Sequence, residues 1–493
     1  MKKAVLIILL LLLIITGAIF MLRKPGALFA RETKSYSIEF MSKPPHDTPS
    51  DTSQLALAQF AWNEFLALNW RSSYESSGAR HQRGEPDYGW NYSRDSKPFP
   101  DLAVWETYNH RVEFRPGNDM MLPFDKVPVY SYTSSSFPSE PGVDLTLFNN
   151  LDENNEIGSC NLYAYTREHG KKYQVLYQAK VNRDEYDYVL NHYNTAEKLK
   201  QANITTFNNI QKYNTYYQGA ENTCDCPPSE NVICLPCGTG SNDPGSREPE
   251  GSIEVKTAWR KKLPEDGKAE TYFQRKILTY SKNADGTIKA INDTYLLIGL
   301  HIIHKTRKYP NFVFATWEHK DDTLPKLSMG YEKLDPPTYG GTIIAGYPRV
   351  SKVEDQVNQA NIEAHRLLDR ANRNSVWKYY NLIGVQAKTT NDSHYPNFFL
   401  ANYVIESDTT LQIFRGSGIG TPIDSGENIV YNGKRYSMGG CQGCHGVAQF
   451  RLGSDLSFIC DTVNKPVDAP DIGQTMSKLA RFERALKMNQ KGN

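Results

Sequence analysis

TYLLIGLHIIHK, residues 294–305, is the stretch on which the fold turns. In an extended chain Tyr295, Leu297 and Ile303 point one way, and Leu296, Ile298, Leu300 and Ile302 the other. With both sides largely apolar, the run reads as a central strand buried on both faces. Thr306–Pro310 separate it from NFVFATWEHK, 311–320, and the pair predicts an antiparallel hairpin. Further out, KKYQVLYQAKV (171–181), IEVKTAWRK (253–261) and VWKYYNLIGVQ (376–386) also read as strands, whereas DLAVWETYN (101–109) fits a strand or a short helix.

Helical signals lie between these runs. SQLALAQFAWNEFLALN, 53–69, has Thr52 or Ser53 as its cap and apolar residues all round, so it is expected to be deeply buried. NRDEYDYVLNHYNTAEKLKQA, 182–202, reads as one helix capped by Asn182. Ser351 and Glu354 have capping-box spacing, followed by a stripe of Val353, Val357, Ala360, Ala364, Leu367 and Ala371, which leaves His365 at the surface or boundary. A last helix is expected over 469–487. The fold class is therefore α+β, an antiparallel sheet with packed helices.

The 493 residues allow about three domains, or one large domain with insertions. The expected division is 1–24 as a signal peptide or membrane anchor, 25–50 as a linker, 51–400 as the α+β domain with a Cys-rich insert over 221–252, and 401–493 as a cofactor-attachment region packed on it. Aromatic content is high, with 30 Tyr, 20 Phe and 7 Trp, so global disorder is excluded. The formal net charge of +1 gives no electrostatic case for nucleic acid. There is one long apolar run and no internal repeat, which excludes a multi-span transporter and a solenoid.

That apolar run, Ala4–Leu22, follows Lys2 and Lys3 and ends at Arg23 and Lys24. At about 1.5 Å per residue its 19 residues approach the ~30 Å hydrocarbon core. It is either a single-pass anchor, which the length favours, or a cleaved signal peptide. Both readings export the rest of the chain.

Export gives the cysteines their meaning. C-Q-G-C-H, 441–445, is the attachment pattern of a c-type haem. Two thiols must reach the two vinyl groups of one porphyrin, and the adjacent imidazole must reach the iron. Cys441 and Cys444 are thus the thioether residues and His445 the proximal iron ligand of one covalent haem c. Gly439, Gly440 and Gly446 leave room for a flat ligand. Residues Gly416–Gly440 read as loop, without the helix that opens a small cytochrome domain, so the haem is expected to pack on the large domain. In the second cluster, Cys224, Cys226, Cys234 and Cys237, the last Cys precedes Gly238 and not His. Two disulfides are favoured there over zinc. Cys160 and Cys460 are left over.

For the sixth iron position the sequence offers Met476, 31 residues after His445 and following Pro470 and Gly473. His301, His304 and His319 are outside candidates. His301 and His304 are three apart, so on a strand they face opposite ways and do not share a metal. His319 is expected to be structural, with contact to the distal side of the haem as the alternative. There is no phosphate-binding loop with a Lys and no G-x-S-x-G.

FAWNEFLALNW (60–70), KVNRDEYDYV (180–189), IEVKTAWR (253–260), GLHIIHKT (299–306), FVFATWEHKD (312–321), YYNLIGVQ (379–386), ANYVIESDTTLQIF (401–414) and MGGCQGCHGVAQ (438–449) together resemble a family of uncharacterised bacterial exported proteins of c-type cytochrome character. The resemblance spans about residues 60–460. It implies haem binding and a periplasmic location or the outer face of the cytoplasmic membrane, without naming a reaction or a redox partner protein. Membrane attachment would come through the N-terminal segment if it is uncleaved. Electron transfer is the leading expectation, and a peroxidase-like haem oxidoreductase with an open sixth position is the alternative.

Overall fold

The computed structural model describes residues 36–460, apart from 75–81, 115–120, 127–141, 144–161, 167–170, 222–223, 240–248, 265, 267, 283, 286–287, 321–328, 336–337, 345–351, 403–404 and 406–428. The N-terminal apolar run, Met476 and the helix expected over 469–487 lie outside the described residues. Among the described residues no helix is long and apolar enough to cross a membrane. The chain divides into two compact units, Met1–Ser37 and Ile38–Asn493, and every described helix and strand belongs to the second.

The strands are β1 (Asn109–His110), β2 (Leu162–Thr166), β3 (Lys171–Gln174), β4 (Leu176–Val181), β5 (Ile253–Lys261), β6 (Gln274–Lys282), β7 (Ile288–His304), β8 (Val313–His319), β9 (Met329–Asp335), β10 (Thr338–Ile344), β11 (Tyr380–Gln386), β12 (Ile429–Tyr431) and β13 (Lys434–Tyr436). The helices are α1 (Gln54–Leu68), α2 (Arg183–His192), α3 (Ala196–Tyr213), α4 (Asp355–Ala371) and α5 (Gly440–Val447). The main sheet runs β1-β4-β5-β7-β8-β11, with β6 also on β7, and every pairing is antiparallel. The architecture is α+β with an antiparallel sheet. A four-stranded sheet, β10-β9-β2-β3, and the β12-β13 ribbon are separate.

The β7–β8 hairpin forms as its sequence requires, with Gly299 opposite Glu318 and His304 opposite Val313. β7 is longer than its apolar stretch and begins at Ile288, where β6 supplies a partner. Ala258 pairs with Gly299 but Trp259 with Leu297, so Ile298 is an extra residue that shifts the alternation.

On one face of the sheet stand Val255, Leu300, Ile302, Val313, Ala315 and Trp317, all buried. α1 and α4 cover this face. The Ser53 Oγ accepts from the Ala56 amide and starts α1, in which every residue except Leu55 is buried. Phe65 of α1 lies 4.9 Å from Trp317, ring centre to ring centre, and 5.4 Å from Trp377. Asn361 of α4 accepts from the Leu382 amide and donates to the Leu382 carbonyl, closing the backbone of edge strand β11.

Three expectations are corrected. The 182–202 segment is two helices: Asn182 caps α2, but Thr195 accepts from Lys198 N and starts α3 afresh. Asn and Thr compete for backbone groups and favour caps over helix interiors. α4 begins at Asp355, with Glu354 as its N-cap and no side-chain bond at that cap, so Glu354 is not the third residue of a capping-box helix. Within its stripe Leu368 is buried where Leu367 is only half-buried. The second half of the 25–50 segment is also not a free linker: Ile38 and His46–Thr48 are buried, with Ile38 N bonded to Glu363 and Lys308 Nζ to Thr48 O. The 101–109 segment resolves into a helical turn, Trp105–Thr107, followed by β1.

Candidate functional site

The second face of the sheet is polar. Glu254, Lys256, His301, Thr316, Phe314, Glu318 and Gln386 share it by register. α5, which carries Cys441, Cys444 and His445, packs here. Gly440, at φ +65°, opens the helix, and a Cβ there would meet Leu400 N at 2.7 Å and Phe398 O at 2.9 Å. This glycine therefore serves close approach to the protein's own backbone, where a flat ligand was expected to need it. Gly453, φ +66°, ends the following turn, with Asn203 O of α3 2.1 Å from where a Cβ would be.

Three buried glutamines fasten the segment. Gln386 of β11 donates to the Asn397, Phe398 and Gly439 carbonyls and accepts from Gln442 N at 2.6 Å. Gln442 donates to the carbonyls of Asn311, Phe312 and Ala387. Gln449 bonds both backbone groups of Val430 and the Tyr216 hydroxyl. The segment is thus built into the large body. Sequence reasoning missed these residues, because a glutamine carries no sign of which backbone it will serve.

Cys441 and Cys444 are spaced i, i+3, and His445 follows one turn after Cys441, so all three share one side of α5. Both thiols are buried; Cys441 Sγ faces Leu400 O at 3.5 Å, and Cys444 packs with Val447 and Phe458. The His445 ring lies 4.9 Å from Phe314 and 5.1 Å from Phe458, and its Nδ1 is 2.6 Å from Leu456 O. Burial lowers its pKa to about 4 against the raising effect of the Leu456 bond, so the imidazole is neutral at pH 7. Nδ1–H donates to Leu456, and Nε2 has no hydrogen-bond partner among the described residues. Two thiols and an imidazole nitrogen on one side of a helix, with the second ring nitrogen committed, are a donor set that fits a covalent haem.

The other histidines separate cleanly. His304 points to the helix-covered face, where Nδ1 pairs with Glu64 and Nε2 lies 2.7 Å from Glu250 O. His319 stacks on Tyr272 with ring centres 3.5 Å apart and meets Thr271 O, a structural placement. His301 alone of the three shares the face with His445. Burial holds its pKa well down, with the charges of Lys256 and His445 adding to the effect. His365, half-buried, bonds Tyr380 O at the boundary.

The Cys-rich insert holds two nested disulfides, Cys224–Cys237 and Cys226–Cys234. Among the described residues no three His, Cys, Asp or Glu side chains gather as a metal site. Cys460 is buried near Glu185 and Glu254, and Cys160 lies outside the described residues. No family model, curated protein or solved structure matches this chain.

Proposed function

We propose that the chain is an exported c-type haem protein that carries electrons in the periplasm or at the outer face of the cytoplasmic membrane. The observation that carries this reading is the shared side of Cys441, Cys444 and His445, with His445 Nδ1 already committed to Leu456 O. When bound, a haem here supplies a one-electron iron couple. The residues do the rest: the two thiols tether it, Nε2 of His445 is the proximal donor, and Phe314 and Phe458 hold the ring between them. The two disulfides agree with an oxidising compartment. Met476 is the distal donor we propose; its thioether would close the iron and raise the potential.

In the test, haem stays on the denatured wild-type chain in a gel and is absent from Cys441→Ala with Cys444→Ala. Haem extracting from the wild type into acidic organic solvent defeats the assignment. Met476→Ala should lower the reduction potential and open the reduced iron to carbon monoxide.

A second reading, a peroxidase-like haem oxidoreductase with an open sixth position, is favoured by one observation. The buried His301 and its cross-strand neighbour Lys256 bring acid–base groups to the face that carries His445. Fast carbon monoxide binding by the reduced wild type supports that reading, and absence of binding supports electron transfer.

A further inference from the structure

Leu456, whose carbonyl holds His445, sits next to a buried side chain with four partners. Asp455 is fully buried at φ +56°, a left-handed conformation that a non-glycine residue adopts at a cost. Its carboxylate pairs with Lys305 Nζ and accepts from the Tyr216 hydroxyl, from Leu235 N at 2.9 Å and from Leu456 N at 3.1 Å. These partners come from separate parts of the chain. Lys305 follows β7, Tyr216 follows α3, and Leu235 lies between the paired cysteines of the stapled insert. Ser454 adds bonds to the carbonyls of Ala448 and Ser457, on either side of the turn.

Stability alone does not account for such a cluster. A fully buried ion pair rarely beats well-packed apolar residues of the same volume, because both charges lose their hydration. What the cluster does provide is a fixed peptide. Asp455, tied on four sides, fixes the Leu456 amide. Ser457 N donates to Ser454 O at 3.2 Å and holds the peptide to which the Leu456 carbonyl belongs, and that carbonyl meets His445 Nδ1 at 2.6 Å. Such outer partners set the ring orientation of a ligating histidine and raise its basicity.

We propose that Asp455, through its buried pair with Lys305, is a positioning residue for His445 that strengthens the imidazole as an iron donor and lowers the reduction potential of the haem. The proposal rests on the haem reading above. It also gives the disulfide-stapled insert a role, since Leu235 is one of the four anchors.

The experiment compares full-length wild type with Lys305→Met/Asp455→Asn, which leaves no unpaired buried charge. The control is Arg260→Met/Asp266→Asn, a second buried pair that also bonds Lys261 O and Leu263 N. All three chains should carry covalent haem. A weaker His445 donor should cost the oxidised state about tenfold in relative stability, an upward shift of ~59 mV for a one-electron couple. The control should keep its potential, whichever way its folding stability moves. If the Lys305/Asp455 variant does not fold, Tyr216→Phe removes one anchor of Asp455, leaves Gln449 on both backbone groups of Val430, and should raise the potential less, in the same direction. An unmoved potential in the folded, haem-bearing variant overturns this proposal and leaves the haem reading standing. A wild type without covalent haem overturns both.

Discussion

His304 and Lys305 are consecutive residues that send buried charge to different places. His304 pairs with Glu64 of α1 on the helix-covered face, whereas Lys305 pairs with Asp455 beside the attachment segment. The surroundings differ as sharply. On the helix-covered face rings pack on rings: Trp62, Phe65, Trp317, Trp377 and Tyr380. On the other face, contact runs through single glutamines that bond backbone carbonyls. Apolar packing is non-directional and tolerates small shifts, so it makes a core. Hydrogen bonds to fixed carbonyls have direction and place a segment. The first face holds the fold together, and the second sets where three side chains stand.

The largest effect that would sharpen this contrast is on the packed face. Phe65→Ala removes a ring in contact with Trp62, Trp317 and Trp377. It should cost about 3–5 kcal/mol in denaturant unfolding. The proposed covalent haem and its potential should stay unchanged in the protein that remains folded. A shifted potential would mean that the two faces are not separate.

The same contrast explains what the sequence makes legible. The β7–β8 hairpin is visible because Leu296, Leu300, Ile302, Val313 and Trp317 belong to a run too apolar for any place but a core. α1 is visible because Ser53 stands before an unbroken apolar helix. C-Q-G-C-H is visible as a motif because the covalent haem proposed for it would dictate the spacing of Cys441, Cys444 and His445. The break at Tyr193–Thr195 is not visible, since Thr195 reads equally as a helical surface residue or a cap until tertiary contacts decide. Gln386, Gln442, Gln449, Lys305 and Asp455 are not visible either. Their types belong to the surface by default, and only the fold shows that all five are buried.

A middle-sized effect concerns pH. On the polar face, burial raises the Glu254 carboxyl from 4.5 to about 7, with Ser457 opposing and Asp455 adding to the shift. Between those values the folded chain holds a proton that the unfolded chain has lost, so stability falls as pH rises through that window. On the other face burial acts to lower the His304 pKa, but Glu64 outweighs it and the net shift is upward. Its contribution is full below about 6.5 and is lost as pH rises through the raised folded value. The two faces thus weaken in the same sense over adjoining windows. Unfolding free energies at pH 5 and pH 7 should show a drop in the wild type that is smaller in Glu254→Gln, by on the order of 1–3 kcal/mol. An equal drop in both proteins would mean that Glu254 does not titrate in this window.

The smallest effect tests how α4 is started on the packed face. If Ser351 and Glu354 acted as a capping box, Glu354→Ser would remove the returning side chain and cost up to about 1 kcal/mol. The structure instead puts Glu354 itself at the N-cap, extended at φ −60° and ψ 144°, with no side-chain bond to the helix amides. A serine there has the short hydroxyl that N-caps use, as Ser53 already does for α1. Asp355 in the first turn stays in place, so its interaction with the helix dipole is common to both proteins. Glu354→Ser should therefore stabilise the chain by about 0.5–1 kcal/mol, read as a higher midpoint in urea with an unchanged slope. A lower midpoint would restore the capping box and move the start of α4 back toward Ser351. Because α4 bonds β11 through Asn361 and His365, beyond its first turn, either result should leave β11 paired and the potential of the proposed haem where it was.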